Sequence, residues 1–274
     1  MSAYLSFEWL KFSKRWMPRV ILLMLLALTV LAFWGMATRI DGRGNLLLPR
    51  GWLAALAFSS FFAPFFWPVL GGSWAGNEYG WGTIRSILTR RPARATQALT
   101  ALAVLLIGVL LALIAILIVA TGASLLVASF TGNAAWTSGL LNGTFVMTLL
   151  KGLFTAWYVS SFYLLLAYAA AVITRSAAVG IGFGIGSTLA EIVLRELFSS
   201  LGGVWNTVAE HFPFIYSQDM ITRVVGPQLI PGTRLSRVSP GTPSAEESLI
   251  ALAIYSAVLL AILIAAVRQR DVTA

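Results

Sequence analysis

Apolar residues run through this chain in six long stretches, separated by short polar or basic segments. A bilayer core about 30 Å thick needs about 20 apolar helical residues. The stretches at 18–38, 52–72, 98–130, 144–173, 177–199 and 249–267 all meet that length. The pattern predicts an all-α integral membrane protein, one transmembrane domain of six spans over 1–274. Pro18 suits a helix start. Pro64 and Pro68 fall inside the second span and should kink or break it, unless neighbouring helices satisfy the freed carbonyls. The third and fourth spans are longer than a bilayer requires, so they should tilt or project. Gly180, Gly182, Gly184 and Gly186 open the fifth. A small-residue face at four-residue spacing, such as Gly182 with Gly186, favours close helix packing, and a flexible hinge is the other reading.

The first residues carry a different pattern. Leu5, Trp9, Phe12 and Trp16 are spaced four, three and four apart and share one helical face. Glu8, Lys11, Lys14 and Arg15 fall on the other side. This predicts an interfacial amphipathic helix over 1–17, with its tryptophans at headgroup depth. The run that follows is long enough to span and has no small-residue cleavage site after it, so it does not read as a cleavable signal.

Composition strengthens the membrane reading. Hydrophobic residues make up 58% of the chain and charged residues 11%, against about 25% charged in soluble domains. There are no cysteines, which removes disulfides, thiol metal sites and cysteine nucleophiles. The formal net charge of +9 does not call for nucleic acid, because the cations sit beside the spans, as inside loops require. Eleven of them fall on one side: Lys11, Lys14, Arg15, Arg19, Arg85, Arg90, Arg91, Arg94, Arg175, Arg268 and Arg270. That bias places both termini in the cytoplasm. The other side carries a long Pro- and Gly-rich segment at 200–248, where Leu201 to Phe212 can form a short apolar helix that dips back into the membrane or lies on its outer face.

Few residues carry candidate chemistry. Glu191, Arg195 and Glu196 lie in the outward half of the fifth span, and Lys151 lies near the outer end of the fourth. A charge at the bilayer centre costs about 2.5–3.5 kcal/mol on insertion scales, so such groups should face protein or water. Glu191 and Arg195 stand four apart, acid before base, the better order for an ion pair. They line a transport path or gate, or they brace the span. Lys151 reads as a side chain reaching for the interface, with Glu191 or Glu196 as a second possibility. His211 is the only histidine and reads as a loop residue. Asn142-Gly143-Thr144 matches a glycosylation acceptor, a triplet that arises readily by chance in a composition that reads as bacterial. No nucleophile–base–acid constellation stands out. The glycines at 180–186 have no lysine partner for a phosphate loop.

The segment at 77–94 is basic, short and wedged between two apolar runs. Thr83 can cap a helix. Trp81, Ile84 and Leu88 then line one side of it, Ile87 and Arg91 stand close by, and Pro92 stops it. Glu78 before it can pair with Lys11, Lys14 or Arg15. Glu78, Gly82-Thr83, Ile87-Leu88 and Pro92-Ala93-Arg94 together resemble the cytoplasmic loop of ABC-2-type permeases, the membrane subunits of ATP-driven exporters. The interfacial helix with Glu8 and Lys11, the six spans, the long outer segment and Arg270-Asp271 fit the same layout. One departure is Ala101, where such permeases often carry a lysine.

The resemblance implies a permease subunit that forms half of a translocation pathway in the cell inner membrane. It implies a second permease copy or a sister permease as partner, and separate P-loop ATPase subunits docked on the 77–94 coupling loop. ATP and Mg would then belong to the ATPase, and this chain would bind no cofactor and catalyse nothing by itself. Two other readings stand beside it. A self-contained secondary transporter or channel should show inverted-repeat symmetry and broken helices in both halves. A membrane-embedded lipid-modifying enzyme should show clustered acid, base or metal ligands at one interface.

Overall fold

A computed structural model describes residues 2–38, 40–80, 94–137, 139–230 and 243–269. Their elements, in chain order, are α1 (Ser2–Lys14), α2 (Trp16–Ala37), a 3-10 turn (Ile40–Asn45), α3 (Arg50–Gly80), α4 (Arg94–Thr131), α5 (Gly143–Thr174), α6 (Ala177–Leu201), α7 (Val204–Glu210), α8 (Pro213–Val225), a second 3-10 turn (Gly226–Gln228) and α9 (Ala245–Gln269). No strand occurs among the described residues; Leu48 and Trp136 make one isolated bridge. Among the described residues, α2, α3, α4, α5, α6 and α9 are the six helices long and apolar enough to cross a membrane. They alternate in direction, so α1 lies at one end of the bundle. The described parts of the connections between α2 and α3, α4 and α5, and α6 and α9 lie at the other.

Glycine sets how closely the central helices approach. α3 and α5 are the most buried of the six. A Cβ on Gly71 would run into the Leu164 carbonyl of α5. One on Gly72 would meet the backbone of α6 at Ile181, 2.7 Å away, and one on Gly76 would overlap Ala177. α6 answers with Gly180 and Gly184, whose Cβ positions would lie 2.5 Å from Ala171 Cβ and 2.6 Å from Pro68 Cβ. Small residues allow this approach where no hydrophobic effect drives helices together. The packing face of α6 is thus Gly180, Gly184 and Thr188, all buried. The expected pair Gly182 and Gly186 points the other way, with no neighbour within 4 Å.

Tight connections fix the order of α5 and α6. Asn142 caps α5, its side chain accepting from Phe145 N at 2.9 Å. That use is structural. α5 ends on Arg175 in the left-handed region, φ 57°, and Ser176 caps α6 by accepting from Val179 N at 3.3 Å. Two residues therefore reverse the chain, and α6 packs back along α5.

α3 does not break at its prolines. It runs without interruption from Arg50 to Gly80. Pro64 deprives the Ser60 carbonyl of its helical donor, and Gln218 Nε2 of α8 supplies a donor at 3.4 Å. The helix also extends past the expected span end at 72, so Glu78 stands on a helix rather than in a loop.

Candidate functional site: two polar junctions at opposite ends of the bundle

At the α1 end, polar side chains of α1, α3 and α4, with Arg15 from the link between α1 and α2, meet under cover. Glu78 sits near the last turn of α3 and is 6% exposed. Lys11 of α1 reaches it with a hydrogen-bonded ion pair. Arg15, the residue between α1 and α2, places Nη2 3.7 Å from the same carboxylate oxygen. Lys11 Nζ also lies 2.6 Å from Oε2 of Glu8 and 2.7 Å from its Oε1. Glu8 is fully buried and accepts from Gln97 Nε2 near the start of α4. Burial pushes the Glu8 carboxyl above its usual range, against the opposing pull of Lys11.

Trp74 forms the floor of this junction. It stands one turn before Glu78, on the same face of α3. Its ring lies 5.0 Å from Lys11 Nζ and 4.5 Å from Arg15 Cζ, within cation–π range. Phe12 of α1 meets it at 5.9 Å between ring centroids. Sequence reasoning paired Glu78 with the basic residues of α1 and missed Trp74 and Gln97. The signals were present: Trp74 is four residues before the acid, and Gln97 is a lone amide in the first turn of an apolar helix.

The faces of α1 differ from the expected division. Glu8 and Lys11 turn into the protein, whereas Leu5, Trp9 and Trp16 are exposed, Trp16 at 69%. Phe12 leaves its expected companions and packs inward over Gly108 of α4. The reason is electrostatic. The strongest partners for Glu8 and Lys11 are Glu78 and Gln97, on the bundle, and apolar side chains can face lipid at no cost. Lys14 remains exposed.

At the opposite end, α7 and α8 fold back against α6 and α9. Glu191 of α6 accepts from Phe214 N at 2.7 Å, and Tyr255 Oη of α9 donates to His211 O at 3.2 Å. Each of these two residues stands ten positions from the end of its helix nearest the connections. At 1.5 Å per residue, the turn between α7 and α8 stands level with points about 15 Å along α6 and α9 from those ends. α8 then runs back toward those ends. Its Ser217 pairs with Tyr163 of α5 at 3.0 Å, and beyond its end Ile230 N donates to Asn45 Oδ1 at 2.7 Å. Arg50 Nε donates to Gln228 O at 3.1 Å. Backbone at this level must find partners within the protein, and these side chains supply them.

The remaining charged candidates do not join this junction. Among the described residues no ion pair links Glu191 to Arg195; Glu191 is used as a cap for α8 instead. Arg195 and Glu196 are exposed on α6, and Lys151 is exposed on α5 without an ion pair to either acid. The expected coupling residues Trp81, Gly82, Thr83, Ile84, Ile87, Leu88, Arg91 and Pro92 lie outside the described residues. Arg94 is the first residue of α4.

Six helices among the described residues that are long and apolar enough to cross a membrane define a multi-pass helical membrane protein. The family described as "Protein of unknown function (DUF2705)" matches residues 52–273, and the chain belongs to it. The match spans α3 to α9 and leaves α1 and α2 outside. No curated protein matches the chain.

Proposed function

We propose that this chain is the permease subunit of an ATP-driven exporter of the ABC-2 type, with both termini in the cytoplasm. A separate P-loop ATPase docks on the basic loop between α3 and α4, and a second permease copy or a sister permease completes the pathway. The observation that carries this reading is the Lys11–Glu78–Arg15 junction. It ties α1 to the last turn of α3, two residues before the loop that resembles a coupling helix. A push on that loop would then move α1, α3 and α4 together. Glycine contact between α3 and α6 gives the motion a stiff path to the other end. There the α7–α8 turn, held by Glu191 and Tyr255, closes the outer side. The four cations on the loop, Arg85, Arg90, Arg91 and Arg94, follow the inside-positive bias.

A test follows from the partner. Co-expression with a P-loop ATPase encoded beside this chain should yield a complex that co-purifies, and the lack of any such neighbour would count against the reading. Replacing Ile87 and Leu88 with Asp should abolish that complex while the bundle still folds. A second test is charge reversal. Lys11→Glu and Glu78→Lys should each impair transport, and the double variant should recover part of it. Full transport by the purified chain with no ATPase would overturn the reading.

A further inference from the structure

A groove of about 230 Å³ opens between α1, α2, α3 and α4. That is many times what a single water needs. Its walls are apolar: Ile21 and Leu22 of α2, Trp67 and Leu70 of α3, and Ala112 of α4. Phe12, lodged over Gly108, forms the wall on the α1 side. Its polar edge is made by Ser13 and Arg19. Both are exposed, as is Lys14 beside them, so the groove opens outward at that edge. No carboxylate lines it. The nearby acids, Glu8 and Glu78, are committed to Lys11 and Arg15 in the junction behind Phe12. The Arg19 guanidinium is held in place by its hydrogen bond to Ser13 O.

We propose that this groove seats an acyl chain of an anionic membrane phospholipid, with the headgroup phosphate against Arg19 and Lys14. The chemistry matches at both ends. An apolar slot with room for many waters but few polar groups to hold them is filled by hydrocarbon. A planar guanidinium at interfacial depth binds phosphate in a two-pronged manner. Fixed positive charge without a neighbouring acid selects against zwitterionic lipids, whose own cation would meet Arg19. Trp16, exposed beside the rim, is the residue type that settles at headgroup level. The lipid would brace the elbow between α1 and α2 from the outside, while the Glu78 junction braces it from within.

The experiment uses the full chain in nanodiscs of phosphatidylcholine, with or without phosphatidylglycerol. Thermal midpoint and lipid retention by native mass spectrometry are the two readouts. Phosphatidylglycerol should raise the midpoint by about 3 °C and should be retained in preference to phosphatidylcholine. Arg19→Gln should abolish the preference, and Arg19→Lys, which keeps the charge but loses the fork, should keep only part of it. Leu111→Trp, at an exposed position on the groove wall, should lower the amount of lipid retained without unfolding the chain. Arg268→Gln, an equal charge change on α9, should leave the preference intact. Equal retention of the two lipids by the unaltered chain would overturn the proposal. So would a preference that survives Arg19→Gln, falls equally in Arg268→Gln, or ignores Leu111→Trp.

Discussion

At the α1 end, Lys11 and Arg15 meet Glu8 and Glu78. At the opposite end, Glu191, Tyr255, Asn45, Gln218 and Arg50 all meet backbone groups. The first junction is charge against charge across separate helices. The second is side chain against main chain, and it exists because chain that folds back against the bundle carries N–H and C=O groups that must be paired. Ion pairs under cover are costly to break from one side and can be exchanged as a set. Backbone caps cannot be exchanged, because the peptide group stays where the fold puts it. The α1 end is thus built to move as a unit or be re-paired, and the opposite end to hold one geometry.

The largest effect is expected where both ends depend on the same seam. Gly76→Val would drive a branched side chain into the backbone of Ala177, which cannot give way as a flexible side chain can. It should abolish recovery of monodisperse protein on size exclusion. A well-behaved Gly76→Val protein would show that α3 and α6 do not need this contact. Next comes the charged junction. Glu78→Ala leaves Lys11 and Arg15 facing Trp74 with Glu8 as the remaining acid, and should cost about 3 kcal/mol. Thermal unfolding in detergent would read it. Adding Lys11→Met should return a good part of the loss, and no recovery would mean that the pair is not the unit of stability.

Some of this was legible beforehand. The six spans follow from apolar length alone, because nothing but a bilayer calls for runs of that kind. The link between Glu78 and α1 follows from a lone acid among cations. The face of α1 did not follow. Periodicity shows that a helix has two faces, but with lipid on one side and protein on the other, either face can turn inward. The strongest partner decided it, and Glu78 is 67 residues from Lys11. The glycines illustrate the same limit. Alternating Gly180 to Gly186 offers two opposed faces of α6, and only the position of Ala167, Ala171 and Pro68 selects Gly180 with Gly184. The donor that the Ser60 carbonyl finds below Pro64 comes from Gln218, which no reading of the local sequence around Pro64 could supply.

At the opposite end the expected effects are smaller, because each cap serves one or two groups. Glu191→Ala removes the acceptor for Phe214 N and should cost about 1 kcal/mol, the usual value of an N-terminal cap. Glu191→Gln keeps an acceptor at the same position and should recover most of it. Equal losses in the two variants would assign Glu191 a role as a charge, at odds with a capping geometry that needs only an oxygen.

The smallest effect, and the one that most sharpens the contrast, concerns Glu8. Its carboxyl is buried, and burial raises its proton affinity above the ordinary value of 4.5. A group raised in the folded state contributes stability that is complete below its unfolded value and lost as pH rises through the folded one. Glu8→Gln carries no such dependence and can still accept from Gln97. The stability gap between the two proteins should therefore be small near pH 4.5 and shift toward the variant as pH rises past that value. Recording thermal midpoints of both across that range reads the Glu8 contribution together with its effect on Lys11 and Glu78, because groups that do not meet Glu8 cancel in the difference. A gap that instead grows in favour of the unaltered chain would mean that the Lys11 pair outweighs the cost of burying the charge. The α1 end would then be held by attraction alone, not by attraction working against desolvation.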